Sequence, residues 1–225
     1  MGSEFSGSGD PRRTLELLWG ASETPKRGPR QSLSVKRIGE VAIALADKEG
    51  LGALSMRRVA KELKVSAMSL YTYVPGKAEL LDVMLDCAYG ERCAAAPANM
   101  GWRSELERLA GNSMALYMRH PWMLQIATHR PALGPNAIAM YEEGLRAVSE
   151  AGLTELDMDL VVSLISDYVR GAARSTVDAV AAQSITGRTD AQWWQEHEQA
   201  FQHVFDASRF PLADKIGTAV GQTYG

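Results

Sequence analysis

The chain has 225 residues, 46% of them hydrophobic and 23% charged, with a formal net charge of −3. That length holds one small and one medium domain, and the composition is that of an ordinary globular chain, not a disordered or fibrous one. Apolar stretches are interrupted by charge, as in DLVVSLISDYVRGAAR, so no run reaches the roughly 20 apolar residues of a membrane span. No signal-peptide pattern is present, and no membrane partner is expected. Two cysteines, Cys87 and Cys93, are too few for a disulfide framework and suit a reducing cytoplasm as buried small hydrophobes.

The opening MGSEFSGSGD is Gly/Ser-rich and tag-like, and residues 1–9 are left out of the fold reading. RRTLELLW then forms a short amphipathic turn or helix. TPKRGPRQSLS, with Pro25 and Pro29, reads as an extended basic arm. SVKRIGEVAIALADKEG is a helix with Ile38, Ala42, Leu45 and Ala46 at helical spacing, Ser34 as its cap and Gly50 as its stop. Ser55 caps a second helix, MRRVAKELK. A turn at Lys64–Val65 leads to Ser66, which caps a third, AMSLYTY, closed by Pro75–Gly76. A fourth runs from Lys77 to Cys93. Beyond Gly101 the pattern stays helical: 102–119, a short segment 122–129, 135–152, a long helix over 154–183, one capped by Asp190 and a last over 212–221. No segment alternates for long, and no Asn-Gly hairpin signal occurs. The chain is therefore expected to be all-α.

Charge is unevenly spread. Between Lys26 and Lys77 eleven Lys/Arg stand against four Asp/Glu, a local +7; from Asp82 onward eleven stand against eighteen, a local −7. One part is thus suited to a polyanion and the other is not. The motif inside the basic part has the build of a helix-turn-helix, in which a second short helix enters the DNA major groove while the first braces it. Ala60 is small enough for the helix crossing. Leu63, Val65 and Leu70 supply apolar contacts, and Ser66 opens a helix start whose N–H groups can meet phosphate.

This string closely resembles the N-terminal domain of the TetR family of repressors. The likeness covers roughly residues 34 to 85 and is carried by LSMRRVAKELKVSAMSLYTYV at 54–74 and KAELL at 77–81. By that resemblance Ser55 and Arg57 contact one phosphate strand, Ser66, Tyr71, Tyr73 and Lys77 grip the other, and Ala67, Met68 and Ser69 face base edges. Those three are small or apolar, so contact with thymine methyls is expected to outweigh hydrogen-bonded readout. Core packing is the competing role for Ala67, Met68 and Tyr73. The family usually has glycine in the turn where Lys64 stands; at positive φ a lysine there costs about 1 kcal/mol. Arg27 and Arg30 belong either to a minor-groove arm or to a solvated tail.

The remainder resembles the tetracycline-repressor-like C-terminal class, which implies a small-molecule effector and a homodimer. Aromatic and soft side chains from Trp102 to Trp193 suit an apolar pocket or an ordinary core. The effector-site candidates are Met114, Tyr117, Trp122, Ile126, Asp167, Tyr168 and Trp193. Asp167 and Arg170, set among Val161, Leu164, Ile165 and Val169, could orient a ligand, pair with each other or sit at a dimer seam. The natural seam is the long helix from Glu155 to Gln183 with the Trp193 helix. No enzyme, cofactor or metal signal is present: His197 and His203 are six apart, and HEQAF lacks the second histidine of a zinc motif.

The expected organisation is an arm (1–33), a helix-turn-helix domain (34–80) and an effector-binding and dimerisation domain (81–225). The expected function is a cytoplasmic, sequence-specific repressor released from a palindromic DNA operator by a small molecule. A DNA-binding regulator without such an effector is the alternative.

Overall fold

The computed structural model describes residues 4–20, 33–91, 101–127 and 131–224. Arg27, Arg30, Cys93 and His129 lie outside the described residues. The all-α expectation holds. The described residues form ten α-helices: α1 (Pro11–Leu18), α2 (Val35–Glu49), α3 (Met56–Glu62), α4 (Ala67–Tyr73), α5 (Lys77–Tyr89), α6 (Trp102–Arg119), α7 (Pro135–Val148), α8 (Glu155–Thr186), α9 (Asp190–Val204) and α10 (Pro211–Tyr224). Among the described residues strand structure is confined to β1 (Glu4–Phe5), which pairs in parallel with β2 (Ile126–Ala127). None of the described helices is long and apolar enough to cross a membrane.

Contacts divide the chain into two compact units, Met1–Arg174 and Ser175–Gly225. In the first, α2, α3 and α4 close around Ile38, Ala42, Val59, Leu70 and Val74, each no more than 0% exposed, and dock on α5 through Leu80, Leu81 and Met84. The apolar positions on α2 expected from the sequence are all buried. Helix α5 ends at Tyr89, with Gly90 as its C-cap, whose N–H is shared between the carbonyls of Asp86 and Cys87. Burial pushes the Cys87 thiol up to about 11, so it is a poor nucleophile at neutral pH.

Residues 4–10 are part of the fold, contrary to the expectation that they could be set aside. Ser6 Oγ donates to Asp82 Oδ1 at 2.6 Å, Gly7 N to the same carboxylate at 3.1 Å and Asp10 N to Glu79 Oε1 at 3.3 Å. Asp10 also caps α1, accepting from Arg13 N, with Pro11 in its first turn. The backbone here favours glycine at Gly7, and a side chain at Gly9 would displace the Glu79 carboxylate. Gly7 has φ +67°, and a Cβ on Gly9 would lie 2.3 Å from Glu79 Oε1.

A third buried acid on α5, Asp86, is held by Asn136 and Ala137 at the start of α7, whose backbone N–H groups donate to Oδ1 at 3.0 and 2.9 Å. Burial raises both Asp82 and Asp86 above the usual carboxylate value, although their donors pull the other way. The folded chain then holds these protons more tightly than the unfolded one. Stability therefore falls as pH rises from about 4 through the raised values. Asp82→Asn and Asp86→Asn are expected to flatten that decline in urea-denaturation midpoints measured across the window.

The second unit comprises the end of α8, α9 and α10. The sequence suggested Asp190 as the cap of α9; Thr189 has that role. Its Oγ1 accepts from Gln192 N at 3.2 Å while Gln192 Oε1 accepts from Thr189 N at 2.9 Å, a reciprocal capping box. Asp190 sits in the first turn instead, where its charge suits the helix dipole.

Candidate nucleic-acid interface and effector body

Helices α3 and α4 are joined by a tight turn. Lys64 N donates to Lys61 O and Val65 N to Ala60 O, the paired bonds of a Schellman cap. That cap needs a left-handed residue, and Lys64 supplies it at φ 56°, the one non-glycine positive φ among the described residues. Lys64→Gly is expected to raise stability by roughly 0.5–1 kcal/mol, the released strain exceeding the extra freedom glycine brings to the unfolded chain. Denaturant midpoints at constant m check it. The same variant lowers the salt slope of DNA binding by about one if the ammonium meets a phosphate.

Both short helices are capped by serine. Ser55 Oγ accepts from Arg58 N at 3.2 Å, and Ser66 Oγ accepts from Ser69 N at 3.1 Å. Adjacent arginines then separate in role. Arg58 spans from α3 to Glu49 at the end of α2 (2.8 Å) and also pairs with Glu62. Its hydrogen bond holds the Glu49 carboxyl below the usual carboxylate range. Arg57 is exposed, as are Lys61 and Lys64.

On α4 the side chain turned inward is Leu70, at 0% exposure, followed by Val74. Met68 is 76% exposed, and Ser69, Tyr71 and Thr72 are also exposed. Met68 is therefore not a core residue; Ala67 and Tyr73 are half-buried. Lys77 is half-buried at the start of α5. Sequence reasoning passed over Thr72, which stands one helical turn from Met68 on the same face.

Within the first unit the effector candidates do not assemble into one place. Tyr117, Trp122 and Ile126 are buried in the first unit and Met114 is half-buried beside them in α6, whereas Asp167 and Tyr168 lie on the exposed side of α8. Trp193 belongs to the second unit, where it stacks on His197 at 4.0 Å. Arg170 does not pair with Asp167. Its guanidinium donates to Met123 O and Ile126 O and lies 5.9 Å from the Tyr117 ring centroid, while Arg174 donates to Leu124 O. The two arginines thus pin the 3₁₀ turn Pro121–Gln125 to α8.

That turn also reaches the DNA-binding helices. His120 Nδ1 is 2.7 Å from Asp47 Oδ1 on α2, its Nε2 is 3.0 Å from Glu91 Oε2, and Trp122 Nε1 donates to the same Asp47 oxygen at 2.7 Å. A cavity of about 50 Å³ lies between α6, α7 and α8, lined by residues such as Leu106, Ser113, Met140 and Ile165. None of the seven candidates lines it, and the signal that could have found its lining is the inward stripe Val162, Ile165, Val169 on α8.

A basic, serine-capped helix pair with an exposed second helix, seated on a larger helical body, defines a helix-turn-helix DNA-binding regulator. Residues 38–84 match the family described as bacterial regulatory proteins, tetR family, and residues 96–223 match the tetracyclin repressor-like C-terminal domain. The chain belongs to the TetR family, and it is a transcriptional repressor of that family, not an enzyme.

It is 46% identical over 213 residues to the HTH-type transcriptional repressor DrrR1 of Streptomyces coeruleorubidus, covering 93% of this chain and 78% of that one. The structure resembles the TetR family protein ActR of Streptomyces coelicolor in complex with actinorhodin, at 28% identity and a TM-score of 0.69, over 81% of this chain and 83% of that one. BioQ with its double-stranded DNA operator shares the fold at 22% identity and a TM-score of 0.54, over 69% of this chain and 93% of that one.

Proposed function

We propose that the protein acts in the cytoplasm as a homodimeric repressor that leaves a palindromic operator when a small molecule enters residues 81–225. Residues 34–80 are the DNA-binding part. In this reading Ser55, Arg57, Ser66, Tyr71, Tyr73 and Lys77 hold phosphates, and α4 offers Ala67, Met68 and Ser69 to the bases. Arg27 and Arg30 are proposed as additional contacts ahead of α2.

The dimer rests on α8. Leu156, Leu160, Leu164 and Tyr168 recur every four residues and are 78%, 63%, 70% and 75% exposed. A row of that size on one helix is what a subunit interface leaves bare in the single chain. Asp167 and Tyr168 fit this seam better than an effector site. Trp193 and its neighbours on α9 are exposed in the same way.

Met114, Tyr117, Trp122 and Ile126 are kept in this proposal as effector contacts that binding would have to uncover, since none of them lines the cavity between α6, α7 and α8. Support for an effector comes from ActR, described in complex with actinorhodin. A second reading, regulation without a small molecule, draws on the cavity between α6, α7 and α8, which at about 50 Å³ holds a water or two, whereas the hollow of about 490 Å³ between α1, α2, α5 and the start of α7 lies away from the proposed effector contacts. Binding in the smaller cavity would have to part α6, α7 and α8. Footprinting on the gene's own promoter, followed by titration with actinorhodin and other candidate compounds, decides between the two. A protected palindrome released by a compound supports the first reading, and a palindrome that no candidate compound releases supports the second.

A further inference from the structure

From the surface chemistry of α4 we infer that the operator is read mainly through thymine C5-methyl groups, with Met68 and Thr72 as the specificity-determining pair. The inference rests on the DNA-binding reading and deepens it. Helix α4, AMSLYTY, carries no Arg, Lys, Asn, Gln, Asp or Glu, so it has no side chain able to engage a base edge in bidentate fashion.

Its two aliphatic hydroxyls, Ser69 and Thr72, are engaged within the protein, and its phenol hydroxyls, Tyr71 and Tyr73, are those given to phosphate in the reading above. Thr72 Oγ1 donates to Met68 O at 3.1 Å, which uses its one hydrogen. Ser66 Oγ accepts from Ser69 N and lies 2.8 Å from Ser69 Oγ, so one of the two serine hydrogens is taken up between them. What remains at the crest, opposite the buried Leu70, is the 76%-exposed thioether of Met68 and the methyl of Thr72 one turn on.

Exposed Arg57, Lys61 and Lys64 on and after α3 complement phosphate, and Arg58 is withdrawn into its pairs with Glu49 and Glu62. The surface therefore presents an apolar crest beside cations. In the major groove the apolar feature that distinguishes one base from the others is the thymine methyl. A flexible thioether suits it, since it can adjust to a methyl on either strand.

The test uses the full chain and a random duplex library. Duplexes enriched by selection are resynthesised with deoxyuridine in place of thymine inside the footprint, which removes the methyl and keeps every hydrogen-bonding group. Each methyl removed at a contact is expected to weaken binding about fourfold, the worth of one buried methyl. Deoxyuridine outside the footprint is expected to change nothing. Met68→Ala is expected to weaken binding to the thymine duplex and to lose most of the discrimination between thymine and deoxyuridine duplexes, with the salt slope unchanged. Thr72→Ser, which keeps the hydroxyl and loses the methyl, is expected to lose part of the same discrimination. Equal affinity of wild type for the two duplexes overturns the inference. So does a Met68→Ala loss that is the same on both. If selection enriches no sequence, sequence-specific DNA binding itself fails, and the methyl readout falls with it.

Discussion

Trp122→Ala is expected to cost about 4 kcal/mol of folding stability, the largest single-residue effect in the first unit. Trp122 is 1% exposed and sits in the 3₁₀ turn between α6 and β2 with Met123 and Leu124, also buried. Truncating a buried tryptophan removes its transfer free energy and leaves a cavity, together about 3–5 kcal/mol. The neighbours have little room to close the gap. Arg170 and Arg174 pin the carbonyls of the turn to α8, and β2 is paired with β1.

The indole also donates to Asp47 on α2, so the truncation removes one of the two groups bonded to that oxygen. Trp122→Phe separates the two contributions. It keeps most of the volume, loses the N–H to a carboxylate and is expected to cost about 2 kcal/mol. Urea denaturation of the three proteins at one pH gives the comparison. If Trp122→Ala loses no more than Trp122→Phe, the ring is not packed as tightly as its burial implies.

The position of Trp122 shows what was legible in the sequence and what was not. The helix-turn-helix could be read because each of its features is local. Serine caps, the apolar positions of α2 and the turn residue are set by neighbours within four or five places, and the strain at Lys64 could be expected from the glycine that the resembled family usually has there. The role of Trp122 could not. Its partner Asp47 is 75 residues away, and an aromatic in an apolar segment reads as pocket or core with equal ease.

The same holds for the opening segment. Ser6, Gly7 and Gly9 look like a linker because small polar residues are common in linkers. Their purpose is visible only when Asp82 and Glu79 are brought against them across about 70 residues of chain. Three buried acids on α5, Glu79, Asp82 and Asp86, gave the reverse difficulty. A carboxylate in the pattern ELLDVMLD reads as a solvated face until its backbone N–H donors are known. In α8, Arg170 and Asp167 lie among the same apolar residues and within one turn of each other, yet their surroundings differ. One is spent on the 3₁₀ turn and the other is exposed.

That exposed side of α8 bears the second large effect. Leu160→Glu combined with Leu164→Glu is expected to yield a folded monomer that binds operator at least about 100-fold more weakly. Both leucines are exposed in the single chain, so the substitutions cost the isolated fold little. In the proposed dimer the two-fold axis brings the row on one subunit against the row on its partner, so four carboxylates would be buried without counter-charges, which is severely unfavourable. A monomer engages one half-site. It forgoes the effective concentration that holds the second recognition helix at the second half-site, a factor of about 10² to 10⁴. Sedimentation equilibrium reads the mass, circular dichroism the fold, and anisotropy on one-half-site and two-half-site duplexes the binding. The monomer should bind the two duplexes about equally, while wild type strongly prefers the longer. If the double variant remains a dimer, the seam lies on another face and the exposed row on α8 needs a different partner. If it becomes a monomer yet keeps its preference for two half-sites, the coupling between subunits comes from the DNA, not from α8.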